Sequence, residues 1–147
     1  MRKLSLLLSG FALFGVLLIS SCGDDDGGET ESERQTRLLT TPTSWTLSSV
    51  TLDGVPVDGW NAFTINVVNG SSVSTANAVF PGPWSGSHTW EFGTSVTTQI
   101  VRDPGSNDEL AVTYSVTETT LQLQFQFEGD GFTSRVEGNW VFNMTAQ

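Results

Sequence analysis

Apolar and polar residues alternate strictly along several short segments of the chain. The clearest segment is residues 121–127, in which four apolar residues alternate with three glutamines. An alternation with a period of two places the apolar side chains on one face of a β-strand and the polar side chains on the other. Residues 110–116, 136–144 and 63–67 repeat the pattern. These four segments therefore predict strands that each bury one face.

Four weaker segments bring the number of predicted strands to eight, and they are residues 45–52, 73–80, 88–92 and 96–102. Gly, Pro, Asn and Asp residues separate neighbouring segments, and no segment has both the 3.6-residue spacing and the length of a helix. The sequence therefore predicts an all-β domain over residues 42–147, built as an antiparallel up-and-down meander. Eight such strands bury their apolar face by closing into a barrel, which is either filled or holds one small ligand.

The N-terminal 21 residues have a different character. Two basic residues precede an apolar run of 16 residues, 4–19. This run is shorter than the roughly 20 residues that a membrane-spanning helix needs, and it has the form of a secretory signal peptide. Two serines follow the run, and then comes Cys22, the one cysteine of the chain.

The segment Ile19-Ser20-Ser21-Cys22 resembles the lipobox of bacterial lipoproteins. The resemblance implies that residues 1–21 are a lipoprotein signal peptide and that Cys22 becomes an acylated N-terminus anchored in a membrane. Each buried CH₂ group contributes about 0.8 kcal/mol, and two or three acyl chains hold a protein stably where one would exchange. The alternative is an ordinary signal peptide, or an anchor helix, with a chance cysteine.

Residues 22–41 predict a disordered acidic tether. Six acids and two arginines, but no aliphatic or aromatic residue, lie between positions 23 and 37. Such a composition cannot bury enough apolar surface to offset the loss of chain entropy. Asp24, Asp25 and Asp26 resemble the acidic export signal of surface-displayed lipoproteins in some Gram-negative bacteria. This resemblance implies an outer-membrane, surface-exposed location, and the alternative is a spacer that is merely solvated.

The predicted β-domain resembles the lipocalin-like domains of small bacterial surface lipoproteins. The resemblance rests on Trp45 at the start of the first strand, on the eight-stranded meander and on the closing segment at residues 138–142. Together with the anchor, the tether and the aromatic residues of the loops, this barrel predicts a domain that binds a small apolar or sugar-like ligand at its open end. The chain is short for such a barrel, so the alternative is a filled barrel that docks a protein of the cell envelope.

Composition excludes several other classes of function. The net charge of −10 disfavours nucleic acid, whose phosphates need a basic surface. One cysteine and one histidine exclude a disulfide framework and metal sites with several Cys or His ligands. No Gly-x-Ser-x-Gly motif is present. We therefore predict no enzyme, metal or cofactor, and an enzyme would require that His88 meets a nucleophile or an acid in a cleft.

Three aromatic residues in or near predicted loops are candidates for ligand contacts. Trp60, Trp84 and Phe132 would lie at the mouth of the barrel, where aromatic rings stack on sugars or on apolar rings. The alternative is that these side chains form lids packed over the end of the barrel.

Three further candidates lie on predicted strands. His88 and Trp90 share one strand face, so His88 points inward as a ligand contact or as a hydrogen-bonded histidine at the start of the strand. Arg102 ends another strand and shares its face with Ile100. Its guanidinium group would lie over a tryptophan as a cation–π contact or would bind an anionic ligand.

Overall fold

The computed structural model describes residues 28–60, 62–68, 72–76, 83–84, 86–128 and 137–147. The predicted signal peptide, Cys22, the three aspartates after it and Phe132 lie outside these ranges. What the sequence predicts for them stays a prediction.

One helix and nine strands follow one another along the described ranges. They are α1 (Glu31–Thr40), β1 (Trp45–Leu52), β2 (Val55–Pro56), β3 (Thr64–Val68), β4 (Ser72–Ala76), β5 (Ser87–Phe92), β6 (Gln99–Arg102), β7 (Leu110–Val116), β8 (Thr120–Phe127) and β9 (Gly138–Ala146). The strands form one antiparallel sheet in the order β2-β1-β3-β4-β5-β6-β7-β8-β9, and β1 also pairs with β9. The predicted antiparallel β-sheet architecture is therefore confirmed.

The two-residue strand β2 is absent from the prediction. It forms a tight hairpin with the end of β1, in which Leu52 pairs with Val55. The two residues between them, Asp53 and Gly54, both have positive φ angles, of 51° and 79°. A two-residue turn with positive φ at both positions matches the right-handed twist of the strands that it joins.

Strand β6 is shorter than predicted. It begins at Gln99 rather than at residue 96, because the backbone N–H groups of Thr98 and Gln99 both donate to the carbonyl of Ser95. This turn uses the groups that would otherwise extend the ladder.

The alternating segments bury the faces that their patterns predict. On β8, Leu121, Leu123 and Phe125 are buried, while the intervening glutamines are exposed. Those glutamines bond to the neighbouring strand, as when the amide of Gln122 donates to Asn143 Oδ1 at 2.8 Å. The sheet therefore has an apolar face that forms the core and an outer face of hydrogen-bonded polar side chains.

Strand β1 changes the face that it buries part way along. Trp45 and Val50 are both buried. Because they are an odd number of positions apart, a regular strand would place them on opposite faces. A β-bulge between Leu47 and Ser49 shifts the register against β9 and accounts for this change. An extra residue on one strand turns every later side chain to the opposite face.

The predicted tether is wrong over residues 31–40, where the structure forms helix α1. Thr30 caps the helix, because its side chain accepts a hydrogen bond from the Glu33 N–H group while the Glu33 carboxylate accepts one from the Thr30 N–H group. This reciprocal capping box satisfies two of the free donors at the helix start. Gln35, Leu38 and Leu39 form the buried face of the helix. Leu38 and Leu39 directly follow the acidic segment 23–37, whose composition predicted disorder.

Helix α1 packs against one end of the sheet. The indole N–H of Trp45 donates to the carbonyl of Leu39 at 2.9 Å, and that carbonyl belongs to the last turn, which has no partner within the helix. The hydroxyl of Tyr114 lies 3.2 Å from Gln35 Oε1 and also contacts the carbonyl of Val96. This end is here called the helix end. Neighbouring strands run in opposite directions, so the helix end includes the start of β1 and the last residues of β7.

The opposite end of the sheet, here called the cleft end, is formed by the last residues of β6 and β8 and the first residues of β7 and β9. Arg102 pairs there with Leu110, and Phe127 pairs with Gly138. The two ends are therefore separated by the length of the strands.

Among the residues that the structure describes, no helix combines the length and the apolar character needed to cross a membrane.

The burial of Tyr114 beneath α1 affects the pKa of its hydroxyl group. Burial, and to a smaller extent the charge of Glu31, raises the pKa of Tyr114 to about 12. Since this folded value lies above the ordinary value of 10.0, the contribution of Tyr114 to stability persists below pH 10 and is lost as the pH rises towards 12. Tyr114 is the one tyrosine of the chain, so the absorbance of tyrosinate reports on it alone.

We expect this absorbance to rise only near pH 12 in the folded protein. The variant Leu39→Asp places a charge in the buried contact of α1 and should detach the helix from the sheet. Tyr114 then becomes exposed, and the midpoint of its ionisation should fall towards 10. A midpoint near 10 in the unaltered protein would contradict the docking of α1.

Candidate functional site

Arg102 is a buried cation at the cleft end of the sheet. It is the last residue of β6, pairs with Trp90 on β5 and is only 5% exposed. Its guanidinium carbon lies 5.2 Å from the centre of the Trp84 ring, and its Nη1 group donates to the carbonyl of Pro83. The predicted contact of Arg102 with a tryptophan is therefore confirmed.

Asp103 binds His88 next to this cation. Asp103 directly follows β6 and has a φ angle of 50°. Its Oδ2 lies 2.7 Å from His88 Nδ1 and 3.4 Å from Arg102 Nε, while its Oδ1 accepts a hydrogen bond from the Thr89 backbone N–H at 2.9 Å. One carboxylate thus connects the histidine, the start of β5 and the buried guanidinium group.

The surroundings favour the charged form of Asp103. Partial burial raises the pKa of Asp103, but the hydrogen bonds from Thr89 and His88 and the charges of His88 and Arg102 outweigh it and hold the pKa below the ordinary value. Burial lowers the pKa of Arg102, and the charges of Asp103 and Asp108 oppose that change. Arg102 therefore stays a cation whose charge is balanced by neighbouring carboxylates.

Four buried nitrogen atoms around this cluster have no hydrogen-bond partner among the described residues. They are Nε1 of Trp84, Nε2 of His88, Nε1 of Trp90 and Nε of Arg102. Buried polar groups in folded proteins almost always have partners, and leaving one unsatisfied costs about 1–3 kcal/mol. One of the four, Nε of Arg102, still forms an ion pair with Asp103 at 3.4 Å. Within the described chain, this is the part of the core whose polar groups are least satisfied.

A cleft of about 500 Å³ lies beside the cluster. His88, Arg102 and Asp103 line it together with Asp108 and Phe127. A second cleft of about 610 Å³ adjoins it and shares Arg102, Asp108 and Phe127 with the first. The second cleft also contains Glu109 and Glu128. The cleft end therefore presents an acidic rim around one buried arginine.

The structure brings together four of the six predicted ligand contacts, namely Trp84, His88, Trp90 and Arg102. Trp84 packs against His88, with ring centres 6.0 Å apart, and Trp90 pairs with Arg102 across two strands. Both tryptophans are buried, so they are not exposed rings at the mouth of a barrel.

Trp60 lies in a different part of the core. Its ring contacts Phe63, Trp140 and Phe142, with ring centres 5.1–5.6 Å apart. The described ring contacts lead from Trp60 to Trp84 through Phe142 and Phe125. The predicted ligand contact at Trp60 is thus not part of the cluster, and Phe132 lies outside the described residues.

Asp103 is the functional residue that sequence reasoning missed, because in the segment Asp103-Pro104-Gly105 it has the appearance of a turn-forming residue. Its position could have been found from the pairing of two predicted strands. In an antiparallel hairpin that places Arg102 opposite Trp90, the next residue lies opposite Thr89 and within reach of His88.

The site contains a histidine that an aspartate orients, which is an arrangement that general bases use. Asp103 holds His88 through Nδ1, as the aspartate does in hydrolytic triads. In the described parts of the chain no hydroxyl group bonds to Nε2 of His88, and no three His, Cys, Asp or Glu side chains are grouped as metal ligands.

Comparisons of the chain with protein-family models, with curated proteins and with solved structures give no match.

The cluster predicts that Asp103 stabilises the fold in a pH-dependent way. Replacing Asp103 by Asn removes the charge that balances Arg102 and should lower the free energy of unfolding by about 1–3 kcal/mol at neutral pH. Because the folded pKa of Asp103 is depressed, its contribution is present above the ordinary value of 3.8 and is lost as the pH falls through the folded value.

Urea unfolding across this acid range measures the effect. The matched control is Asp108→Asn, since Asp108 lines the same cleft but has no hydrogen bond to His88. We expect the loss of stability in acid to be smaller for Asp103→Asn than for Asp108→Asn. Equal acid dependence in the two variants would contradict the role given to Asp103.

Proposed function

We propose that the protein is an acyl-anchored lipoprotein of the bacterial cell envelope whose β-domain binds a small ligand at the cleft end. Cys22 carries the lipid anchor at the outer membrane, and the domain is exposed at the cell surface. The ligand contacts Trp84, His88, Trp90 and Arg102. The proposal needs no catalytic step, metal or cofactor, and its partners are the membrane and the ligand.

The finer architecture in this proposal is an eight-stranded, lipocalin-like barrel. The strand pairings support it, because β1 bonds to β9 through seven residue pairs and to β3 through Trp45 and Thr46. Trp45 pairs with both neighbours, which must therefore lie on opposite edges of β1. A sheet that returns to its first strand has no long exposed edge.

The observation that carries the ligand-binding proposal is a cleft lined by His88 and Arg102, each of which has a buried nitrogen atom without a hydrogen-bond partner among the described residues. A filled structural core would satisfy such groups or replace them with apolar atoms, because each one costs stability. Ligand sites are recognised as clefts with a small number of well-placed polar groups.

A second candidate is a structural lipoprotein whose filled barrel docks a protein of the envelope. The dense aromatic packing of the core favours it, since Trp45, Trp84 and Trp140 are almost completely buried. Under this candidate the outer face of the sheet contacts the partner, and the cleft end has no ligand.

The anchor is tested by replacing Cys22 with Ser in the full chain expressed in a Gram-negative bacterium. We expect the unaltered chain to incorporate labelled palmitate and to fractionate with membranes, because acyl chains on Cys22 hold it there. Cys22→Ser should incorporate no label. Incorporation in the variant, or none in the unaltered chain, would contradict the anchor.

Ligand binding is tested with the purified lipoprotein in lipid nanodiscs. Two of its tryptophans, Trp84 and Trp90, lie in the cluster, so a bound ligand should change the intrinsic fluorescence. The variant Arg102→Met should weaken this response at least about tenfold, which corresponds to 1.4 kcal/mol. Arg37→Met on the outer part of α1 is the control and should leave the response unchanged. The absence of a response to saccharides and apolar compounds would favour the second candidate.

A further inference from the structure

We infer that a second copy of the chain docks on the outer face of strands β7, β8, β9 and β1, so that the protein forms a weak symmetric dimer. These four strands are neighbours in the sheet, and their outward side chains are here called the neutral face. The inference does not depend on the ligand proposed for the cleft end. It rests on the charge, the hydrogen bonding and the size of the neutral face.

The neutral face carries no charge. None of the residues in its four strands is Asp, Glu, Lys, Arg or His, whereas 15% of the whole chain is charged and the net charge is −10. A surface that resists association has about 25–35% charged residues. Charged residues are depleted at the centre of surfaces where proteins meet. In its lack of charge the neutral face is therefore like the centre of an interface.

The chemistry of the neutral face restricts the partner. Its exposed groups include the amides of Gln122, Gln124 and Gln126 and the hydroxyls of serines and threonines. A nucleic acid needs cations, and a charged protein would find no complementary charge here. In the described chain the large apolar side chains that are exposed, Val55 and Val68, lie outside these strands, so the face offers little to an apolar partner.

A second copy has the matching surface. Amide and hydroxyl groups both donate and accept hydrogen bonds, so a face built from them is complementary to itself. Two identical faces meet around a twofold axis, which is the commonest symmetry of protein dimers. Acidic copies of one chain repel each other where their charged surfaces meet. On the neutral face two copies approach without placing like charges opposite each other.

Hydrogen bonds hold the side chains of the neutral face in place before a partner arrives. Gln122 Nε2 donates to Asn143 Oδ1 at 2.8 Å, and Asn143 Nδ2 donates to Ser49 Oγ at 3.0 Å, so one series of bonds crosses three strands. Gln124 donates to Asn139 in the same way at 3.3 Å. Folding has thus already ordered these side chains, which lowers the entropy cost of docking. An amide has two N–H donors and one oxygen acceptor, so these bonds leave capacity for a partner.

The size of the neutral face determines how strongly two copies bind. Four strands that are spaced about 4.8 Å apart and are about eight residues long cover about 19 Å by 26 Å. Two copies would therefore bury roughly 1,000 Å², which is at the low end of specific interfaces. A groove of about 370 Å³, lined by Gln122, Asn143 and Thr145 among others, gives the face some relief. The aromatic side chains of these strands pack in the core and supply no anchor. We therefore expect a dimer that forms only at high protein concentration.

Disulfide crosslinking locates the contact. Val141 points outward from β9 and pairs with Gln124 on β8 and with Thr51 on β1, so it is central in the neutral face. Around a twofold axis through this centre, Val141 of one copy lies near the same residue of the other. We expect the full lipoprotein with Val141→Cys, purified in a neutral detergent, to form a disulfide dimer under mild oxidation, with a yield that rises with protein concentration.

The matched control is Val68→Cys, with the unaltered protein as the blank. Val68 is 47% exposed and lies on β3, outside the neutral face. Random collisions would crosslink this more exposed position at least as well, whereas docking through the neutral face favours Val141→Cys. A dimer yield for Val68→Cys that equals or exceeds the yield for Val141→Cys would overturn the inference.

A charge swap then tests the chemistry of the contact. In the Val141→Cys background, Gln122→Glu and Gln122→Lys each place like charges in the symmetric contact and should lower the dimer yield about tenfold. An equal mixture of the two variants should restore the yield, because opposite charges then meet. Asn107→Asp adds a charge at an exposed turn outside the face and should leave the yield unchanged.

The outcomes separate this inference from the proposed ligand binding. A mixture that fails to restore the dimer, or single variants that dimerise as well as their parent, would overturn the docking of a second copy. Crosslinking of Val141→Cys in intact cells to a different protein would assign the neutral face to that protein and overturn it as well. Gln122 and Val141 line neither cleft, so none of these results bears on a ligand at the cleft end.

Discussion

The buried charge of Arg102 is the constraint on which the cleft end depends. A guanidinium group that is 5% exposed needs partners, because an isolated charge in the core is very costly. Trp84 supplies a ring face, Pro83 a carbonyl and Asp103 a carboxylate. The same carboxylate orients His88. The need to hold one cation therefore fixes the geometry of the whole cluster, including the atoms that are left without partners.

The two ends of the sheet differ in how well their buried polar groups are hydrogen-bonded. At the helix end the buried polar groups of Trp45 and Tyr114 have partners, since Trp45 donates to Leu39 and Tyr114 contacts both Gln35 and Val96. At the cleft end, one buried nitrogen atom in each of Trp84, His88, Trp90 and Arg102 has no hydrogen-bond partner in the described chain. Satisfied polar groups stabilise the domain, whereas each unsatisfied buried group costs stability, which the proposed ligand would offset.

Local patterns predicted most of the sheet, and long-range pairing explains what they missed. The alternation in β7, β8 and β9 identifies strand and buried face, because the period of two is a property of each strand alone. The bulge in β1 depends on its pairing with β9, and the role of Asp103 depends on a hairpin register. Helix α1 was missed because its capping box lies within an acidic composition, although its signal was local. Four of the predicted contacts share one cluster, but their partner Asp103 could not be identified without the pairing.

Residue-resolved NMR of the indole N–H groups during a titration with a ligand that changes the intrinsic tryptophan fluorescence tests the central claim most directly. The chain has five tryptophans, and each gives one such signal. The account predicts that the signals of Trp84 and Trp90 move together with ligand concentration, while that of Trp45, whose N–H group donates to Leu39, stays in place. Stationary signals for Trp84 and Trp90, alongside movement elsewhere, would contradict the claim that the unpartnered atoms around Arg102 form the binding site.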